Sequence, residues 1–137
     1  MQNSPEKRCL QAALMYAARG WLVFPVYEIT ASGVCACGKG KECDSPGKHP
    51  RVSHGLHNAT THPDRIHEWW RRWSNANVAI RTGRESGLVV LDVDPRHNGD
   101  ESLAILEDHH EILPDTLKAQ TGGGGRHFFF AHPDDRE

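Results

Sequence analysis

Asp92 and Asp94 stand one residue apart at the end of the apolar run "GLVVLDVD" (87–94). In a strand, alternate side chains share a face, so both carboxylates point the same way while Val93 points into the opposite layer. Two like charges at the end of a core strand repel each other and resist burial, so something positive is expected beside them. Carboxylates about 7 Å apart along one strand can hold a pair of divalent ions roughly 3.5–4 Å apart. Mg²⁺ or Mn²⁺ suits such hard oxygen ligands and a phosphate-bearing substrate. Two plainer readings compete with this one. Asp-x-Asp-Pro can simply end a strand in a solvated turn. A calcium loop fails, because the fifth, sixth and twelfth positions hold Arg96, His97 and Leu103 instead of an oxygen ligand, Gly and Glu.

Cys35, Cys37, Cys43 and His49 place three thiols and an imidazole within fifteen residues. They supply the four ligands of a closed tetrahedral zinc site. Residues 30–60 are rich in Gly, Pro, Cys and Lys without hydrophobic period, so this excursion has no core of its own and zinc would fold it. The competing reading is free thiols beside a bystander histidine; His54 and His57 are reserve ligands. With four protein ligands the site has no open position, which assigns it structure and not chemistry. Cys9 reads as a small buried residue of the first helix.

The run "TGGGGRHFFF" (121–130) is no Walker A loop, since no Gly-Lys-Ser/Thr follows and the next element reads as a strand. Consecutive glycines let the backbone approach a phosphate and aim N–H groups at it. His127 begins the strand, on the face of Phe129, where it can donate to a triphosphate oxygen; the plain alternative is a strand-end histidine after a flexible hairpin.

These groups need elements to position them. "SPEKRCLQAALMYAARG" (4–20) reads as a helix capped by Ser4, with Pro5 in its first turn, Gly20 as its stop, and Leu10, Ala13, Leu14 and Ala17 on one face. A strand over 21–29 follows, its Pro25 hinting at an edge or an irregular position. Thr61 or His62 caps a helix in which Ile66, Trp69, Trp70 and Trp73 form an apolar stripe, read as core packing and not base stacking. Strands at 77–83 and 87–94 are joined by a turn around "GRESG". A helix over 98–113, with Asn98 or Asp100 near its cap, and a strand pair around the glycine run complete the chain. The pattern predicts an α+β fold with a mixed or antiparallel sheet.

The sequence has 137 residues, enough for one compact domain. No stretch approaches the ~20 apolar residues of a membrane span, and "MQNSPEKRCL" lacks a signal peptide's apolar region, so a cytoplasmic location is expected. The net charge of −2 excludes a protein coated in basic residues, and nucleic-acid binding would need a local basic cleft.

In order, "GWLVFPV" (20–26), "GKHP" (47–50), Ala59 to Trp69, "NVAIRTGRESGLVVLDVD" (77–94) and "GDESLAILEDHHEILPDTLKAQTGGGGRHFFF" (99–130) resemble the prim-pol domain of the archaeo-eukaryotic primase superfamily. The D-x-D strand, the Leu113–Thr116 turn and the G-x-H run carry the likeness jointly, over nearly the whole chain. The resemblance implies an RRM-like catalytic sheet with flanking helices and a zinc-stem insertion at 30–60, all within a single domain over 1–137. It implies a DNA primase/polymerase that joins NTPs or dNTPs on a single-stranded or primed DNA template by two-metal catalysis. Such domains open replication proteins of phages, plasmids and mobile elements, some with a helicase region.

By the same resemblance Asp92 and Asp94 match the first acidic motif, with Mg²⁺ or Mn²⁺ as their ions. Gly125, Arg126 and His127 match the second, which contacts the nucleotide's phosphates. Lys48, Arg81 and Arg84 lie in matched segments and supply local positive charge. The zinc stem would be structural or touch the template. The family also places a third acidic motif on a later strand. The sequence runs only ten residues past His127, and Asp134 and Asp135 sit in a Pro-Asp turn context. The expectation is therefore the front part of a catalytic domain, with a non-catalytic binding module as the second reading.

Overall fold

The computed structural model describes residues 5–133; Ser4, Asp134 and Asp135 lie outside them. Among the described residues, three α-helices and two small antiparallel sheets make an α+β structure. The chain divides into two compact units, one through Ser86 and one from Gly87 onward.

The first unit holds α1 (Pro5–Ala18), β1 (Val23–Val26), α2 (Pro63–Arg72) and β2 (Asn77–Ile80). β1 pairs with β2 from Val23↔Ile80 to Val26↔Asn77. Ala13 and Ala17 of α1 and Ile66, Trp69 and Trp70 of α2 close over β1, with Leu10, Leu14 and Trp73 partly buried around them. The helical stripes thus serve the core as their spacing predicts. Burying a side chain such as Ile66 contributes about 1.5–3 kcal/mol. Trp70 is buried with its polar edge satisfied, Nε1 donating to the Ala76 carbonyl at 3.0 Å.

Of the two expectations for Pro25, the irregular position holds and the bare edge does not. All four residues of β1 are buried, and the strand's second side is covered by isolated bridges, Val23↔Thr60 and Val26↔Pro50. Arg51 N–H donates to the Pro25 carbonyl at 3.0 Å. A proline is tolerated because this neighbour is an irregular segment and not a continuous ladder that needs its N–H. His62 occupies the N-cap of α2 without a side-chain cap bond; the Thr60 hydroxyl accepts from His62 N–H instead.

The second unit holds β3 (Leu88–Val93), α3 (Gly99–His109), β4 (Lys118–Gln120) and β5 (Arg126–Ala131), with the sheet in the order β3-β5-β4. β2 and β3 are not a hairpin. Gly83 and Gly87, both at positive φ, bracket a 3₁₀ turn at Arg84–Ser86 that ends one ladder before the other begins. β5 runs down the middle, paired with β3 from Leu88↔Ala131 to Val93↔Arg126. Val93, Leu103 and Phe128 form the buried core beneath it, flanked by Leu91, Leu113 and Phe130. α3 is shorter than the predicted span and ends at His109; beyond it the Glu107 carboxylate accepts from Leu113 N–H at 2.8 Å and fixes the start of the Leu113–Thr116 turn. The Thr116 hydroxyl donates to the Phe129 carbonyl and ties that turn to β5.

Candidate functional site

In the second unit the β3–β5 register sets Asp92 directly opposite His127. Their nearest atoms, Asp92 Oδ1 and His127 Nε2, are 3.4 Å apart. Directly opposed residues of an antiparallel pair share a face, so the carboxylate and the imidazole lie together on the sheet surface away from Val93 and Phe128. The His127 ring meets Phe129 edge-on at 6.4 Å between centroids.

The aspartates are not buried as a pair. The Asp92 side chain is 66% exposed and that of Asp94 26%. Asp94 lies just past β3, as N-cap of the 3₁₀ turn Pro95–His97, and its Oδ1 accepts from Arg96 N–H at 2.9 Å. The Arg96 guanidinium adds bonds to Oδ1 at 3.2 Å and Oδ2 at 3.1 Å. Arg96 is therefore the positive group that the aspartate pair calls for. Its side-chain hydrogen bonds, then its backbone N–H, hold the Asp94 carboxyl below the usual carboxylate range, against a small opposing effect of burial. In sequence Arg96 read only as a missing calcium ligand; its location two residues beyond Asp94 was the available signal.

Two glycines hold this corner together. A Cβ on Gly99 would lie 2.7 Å from both the backbone N and O of Asp94. A Cβ on Gly125 would lie 2.8 Å from Thr121 Oγ1 and 2.9 Å from the Val93 carbonyl oxygen. The hairpin is tied by Gly125 N–H donating to the Thr121 hydroxyl at 2.9 Å. Arg96 also passes the glycine run, its Cζ 3.6 Å from where a Gly123 Cβ would stand. Arg126 faces away from His127: its guanidinium pairs with Asp100 of α3 at 2.7 Å and lies 5.3 Å from the Phe128 ring.

Carboxylate oxygens are the donors that a hard divalent cation takes; those of Asp92 are open to solvent, and those of Asp94 are already drawn to the Arg96 guanidinium. Among the described residues, no third His, Cys, Asp or Glu ligand atom closes with Asp92 and Asp94 into a cluster.

In the first unit, Cys35, Cys37, Cys43 and His49 converge, their ligand atoms all within 4.8 Å of one another. Cys35 Sγ and Cys43 Sγ stand 3.4 and 3.5 Å from His49 Nε2. Tetrahedral zinc with ordinary bond lengths sets sulfur and nitrogen about 3.6 Å apart, so the cluster could hold zinc. The excursion gets there through a small hairpin in which Ala36 N–H donates to Glu28 O and Thr30 N–H to Val34 O. Gly47, at φ +72, presses against Ile29, where a Cβ would lie 3.0 Å from Cγ1. Its N–H donates to Cys35 Sγ at 3.4 Å.

Burial opposes ionisation of Cys35, but hydrogen bonds from the Gly47 and Cys37 backbones and from His49 outweigh it and lower its pKa to about 6. Burial pushes the Cys43 thiol up, and Cys35 adds to that. The His49 ring lies tilted against Tyr27, 4.6 Å between centroids, and Arg51 covers Tyr27 at 4.4 Å while bonding both Glu28 oxygens. His54 and His57 are exposed and stand outside the cluster, and half-buried Cys9 also lies apart from it. Lys48 is exposed on the same excursion, Arg81 pairs with Glu85 at 2.9 Å, and Arg84 lies in the turn before β3.

No helix among the described residues is long and apolar enough to cross a membrane. No curated protein and no solved structure gives a significant match to the chain. The model of one family, described as bifunctional DNA primase/polymerase, N-terminal, matches residues 13–137. That span takes in the Asp92–His127 corner and the Cys₃His cluster alike, and the chain belongs to this Prim-Pol family, which implies nucleotide and DNA binding, divalent-metal use and a nucleotidyltransferase type of activity.

Proposed function

We propose that the chain is the catalytic domain of a cytoplasmic replication protein of a phage, plasmid or other mobile element, joining nucleotides on a DNA template. The observation that carries this reading is the register that sets Asp92 opposite His127, beside Asp94 and the glycine run. The family match across both compact units supports treating residues 1–137 as one domain, with 30–60 as a zinc-stem insertion. The antiparallel β3-β5-β4 sheet, with Leu103 of α3 packed beneath it, is read as the RRM-like catalytic sheet.

Asp92 and Asp94 would hold two Mg²⁺ or Mn²⁺ ions, which when bound supply activation of a 3′-hydroxyl and charge for the leaving pyrophosphate. His127 donates from Nε2 to a phosphate oxygen of the incoming NTP or dNTP. Gly125 keeps the hairpin close to Val93; Thr121 holds the N–H groups of Gly124 and Gly125, which leaves those of Gly122 and Gly123 to face the same phosphates. Arg126 reaches the nucleotide only by leaving Asp100. Lys48, Arg81 and Arg84 are assigned to nucleotide or template phosphates. The Cys₃His cluster holds a structural zinc. A helicase region of the parent protein is the expected partner.

A second reading, a nucleic-acid or replication-partner binding module without catalysis, is favoured by one observation: no third ligand atom joins Asp92 and Asp94 among the described residues. The deciding experiment is labelled dNTP incorporation on a primed template with Mn²⁺, comparing the chain with Asp92→Asn. Incorporation that vanishes in the variant supports the transferase. Its absence from the well-folded parent chain, with DNA still bound, leaves the binding module.

A further inference from the structure

The first unit carries a cleft that neither candidate site uses. It has a volume of about 400 Å³ and lies between α2 and the segment around 51–58, lined among others by Arg51, Arg65, Arg72, Ser53, Asn58 and Trp73. In a protein of net charge −2, three guanidinium groups around one concavity are a marked local excess. Their states differ. Arg51 is held by Glu28 and lies 5.6 Å from the Trp73 ring, so it walls the cleft. Arg65 and Arg72 make no ion pair among the described residues; Arg72 lies 4.9 Å over Trp73.

Donors outnumber acceptors. Asn58 Oδ1 is used, accepting from His54 N–H at 2.9 Å, which turns the amide so that its NH₂ remains to donate. The Glu68 carboxylate also lines the cleft and offsets one positive charge. Arg65 and Arg72 are seven residues apart on one helix, about 10.5 Å along its axis. That separation is wider than a single phosphate group needs and suits a ligand that repeats its charge.

We propose that this cleft binds the phosphodiester backbone of a single DNA strand, with Arg65 and Arg72 as the phosphate contacts and Asn58 as a neutral donor on the facing wall. The inference rests on the Prim-Pol reading for the identity of the strand, and it assigns a contact surface outside the Asp92–His127 corner. The zinc excursion acquires a role in it: the His49 ring packs tilted against Tyr27, and Tyr27 carries Arg51, so the metal loop props one wall.

The test is fluorescence anisotropy of labelled oligo(dT) with the full chain across a salt series. The double variant Arg65→Gln/Arg72→Gln should bind at least tenfold more weakly at low salt. Its log–log salt slope should be shallower by about 1.4, at roughly 0.7 per phosphate contact on a single strand. Glu68→Gln should tighten binding. Lys7→Gln/Arg8→Gln on α1 removes the same net charge and should change neither quantity. An unchanged slope in the first double variant, an equal loss in the α1 control, or displacement of oligo(dT) by millimolar inorganic phosphate alone would overturn the proposal. Incorporation assays on the same proteins separate the two claims. Activity that still requires Asp92, with binding indifferent to Arg65 and Arg72, removes the cleft and keeps the transferase; the reverse pattern removes the transferase and keeps the cleft.

Discussion

Asp92 and His127 are 35 residues apart in sequence and occupy opposed positions on β3 and β5, Oδ1 and Nε2 3.4 Å apart. A slip of one residue in that register would turn one of them into the core. Val93, Leu91 and Phe128 prevent the slip, because they bury the other face. Packing beneath the sheet therefore sets which side chains stand opposite each other above it. His127→Gln should leave the thermal midpoint nearly unchanged, since the side chain is 38% exposed. It should raise KM for the nucleotide more than it lowers DNA affinity, which steady-state kinetics and anisotropy together will show.

The two aspartates are not equivalent. Asp92→Asn removes an exposed charge, whereas Asp94→Ala removes the cap of the Pro95–His97 turn and the anchor of Arg96. Melting curves should show a larger loss for Asp94→Ala than for Asp92→Ala.

Because Arg96 lowers the Asp94 pKa, the contact stabilises the fold fully above the ordinary carboxylate value of 3.8. That contribution fades as the pH falls through the depressed native value. In Arg96→Gln the Asp94 carboxyl should titrate higher, followed by carboxyl NMR. The same variant should bind Mn²⁺ more tightly, because the cation no longer competes with a guanidinium for the same oxygens.

Zinc should be lost on acidification. With Cys35 ionising near pH 6 and not at its ordinary 9.0, the metal-free fold gains stability as the pH climbs from about 6 toward 9, and loses it as the pH falls through 6. Zinc release, read with a chromogenic chelator, should rise steeply below that point as protons compete for the thiolates. Cys37→Ser should release the metal at neutral pH and increase hydrogen exchange across residues 30–60. Unchanged metal content in that variant would remove zinc from the site.

Gly99→Ala and Gly125→Ala should each destabilise by about 1–3 kcal/mol, the range for forcing a group into packed surroundings. Both new methyl groups would press on backbone atoms, those of Asp94 and Val93, which cannot swing aside. Chemical denaturation gives the cost. Gly122→Ala is the control, since nothing lies within 4 Å of its Cβ position.

What the sequence by itself determined was whatever has a local period or a short spacing. The stripes of α1 and α2, the alternation that sends Val93 inward and Asp92 outward, and the Cys₃His ligand set all lie within windows of fifteen residues or so. What only the tertiary structure decided was pairing. That β2 joins β1 and not β3, that β5 runs between β3 and β4, and that Pro25 sits inside and not at an edge all depend on distant segments competing for the same hydrogen-bonding sides. Arg96 belongs with these: its charge was visible, but its grip on Asp94 required the turn to fold back, and that fold depends on Gly99 fitting against the Asp94 backbone. Local sequence encodes which face a side chain takes, whereas long-range pairing decides what stands opposite it.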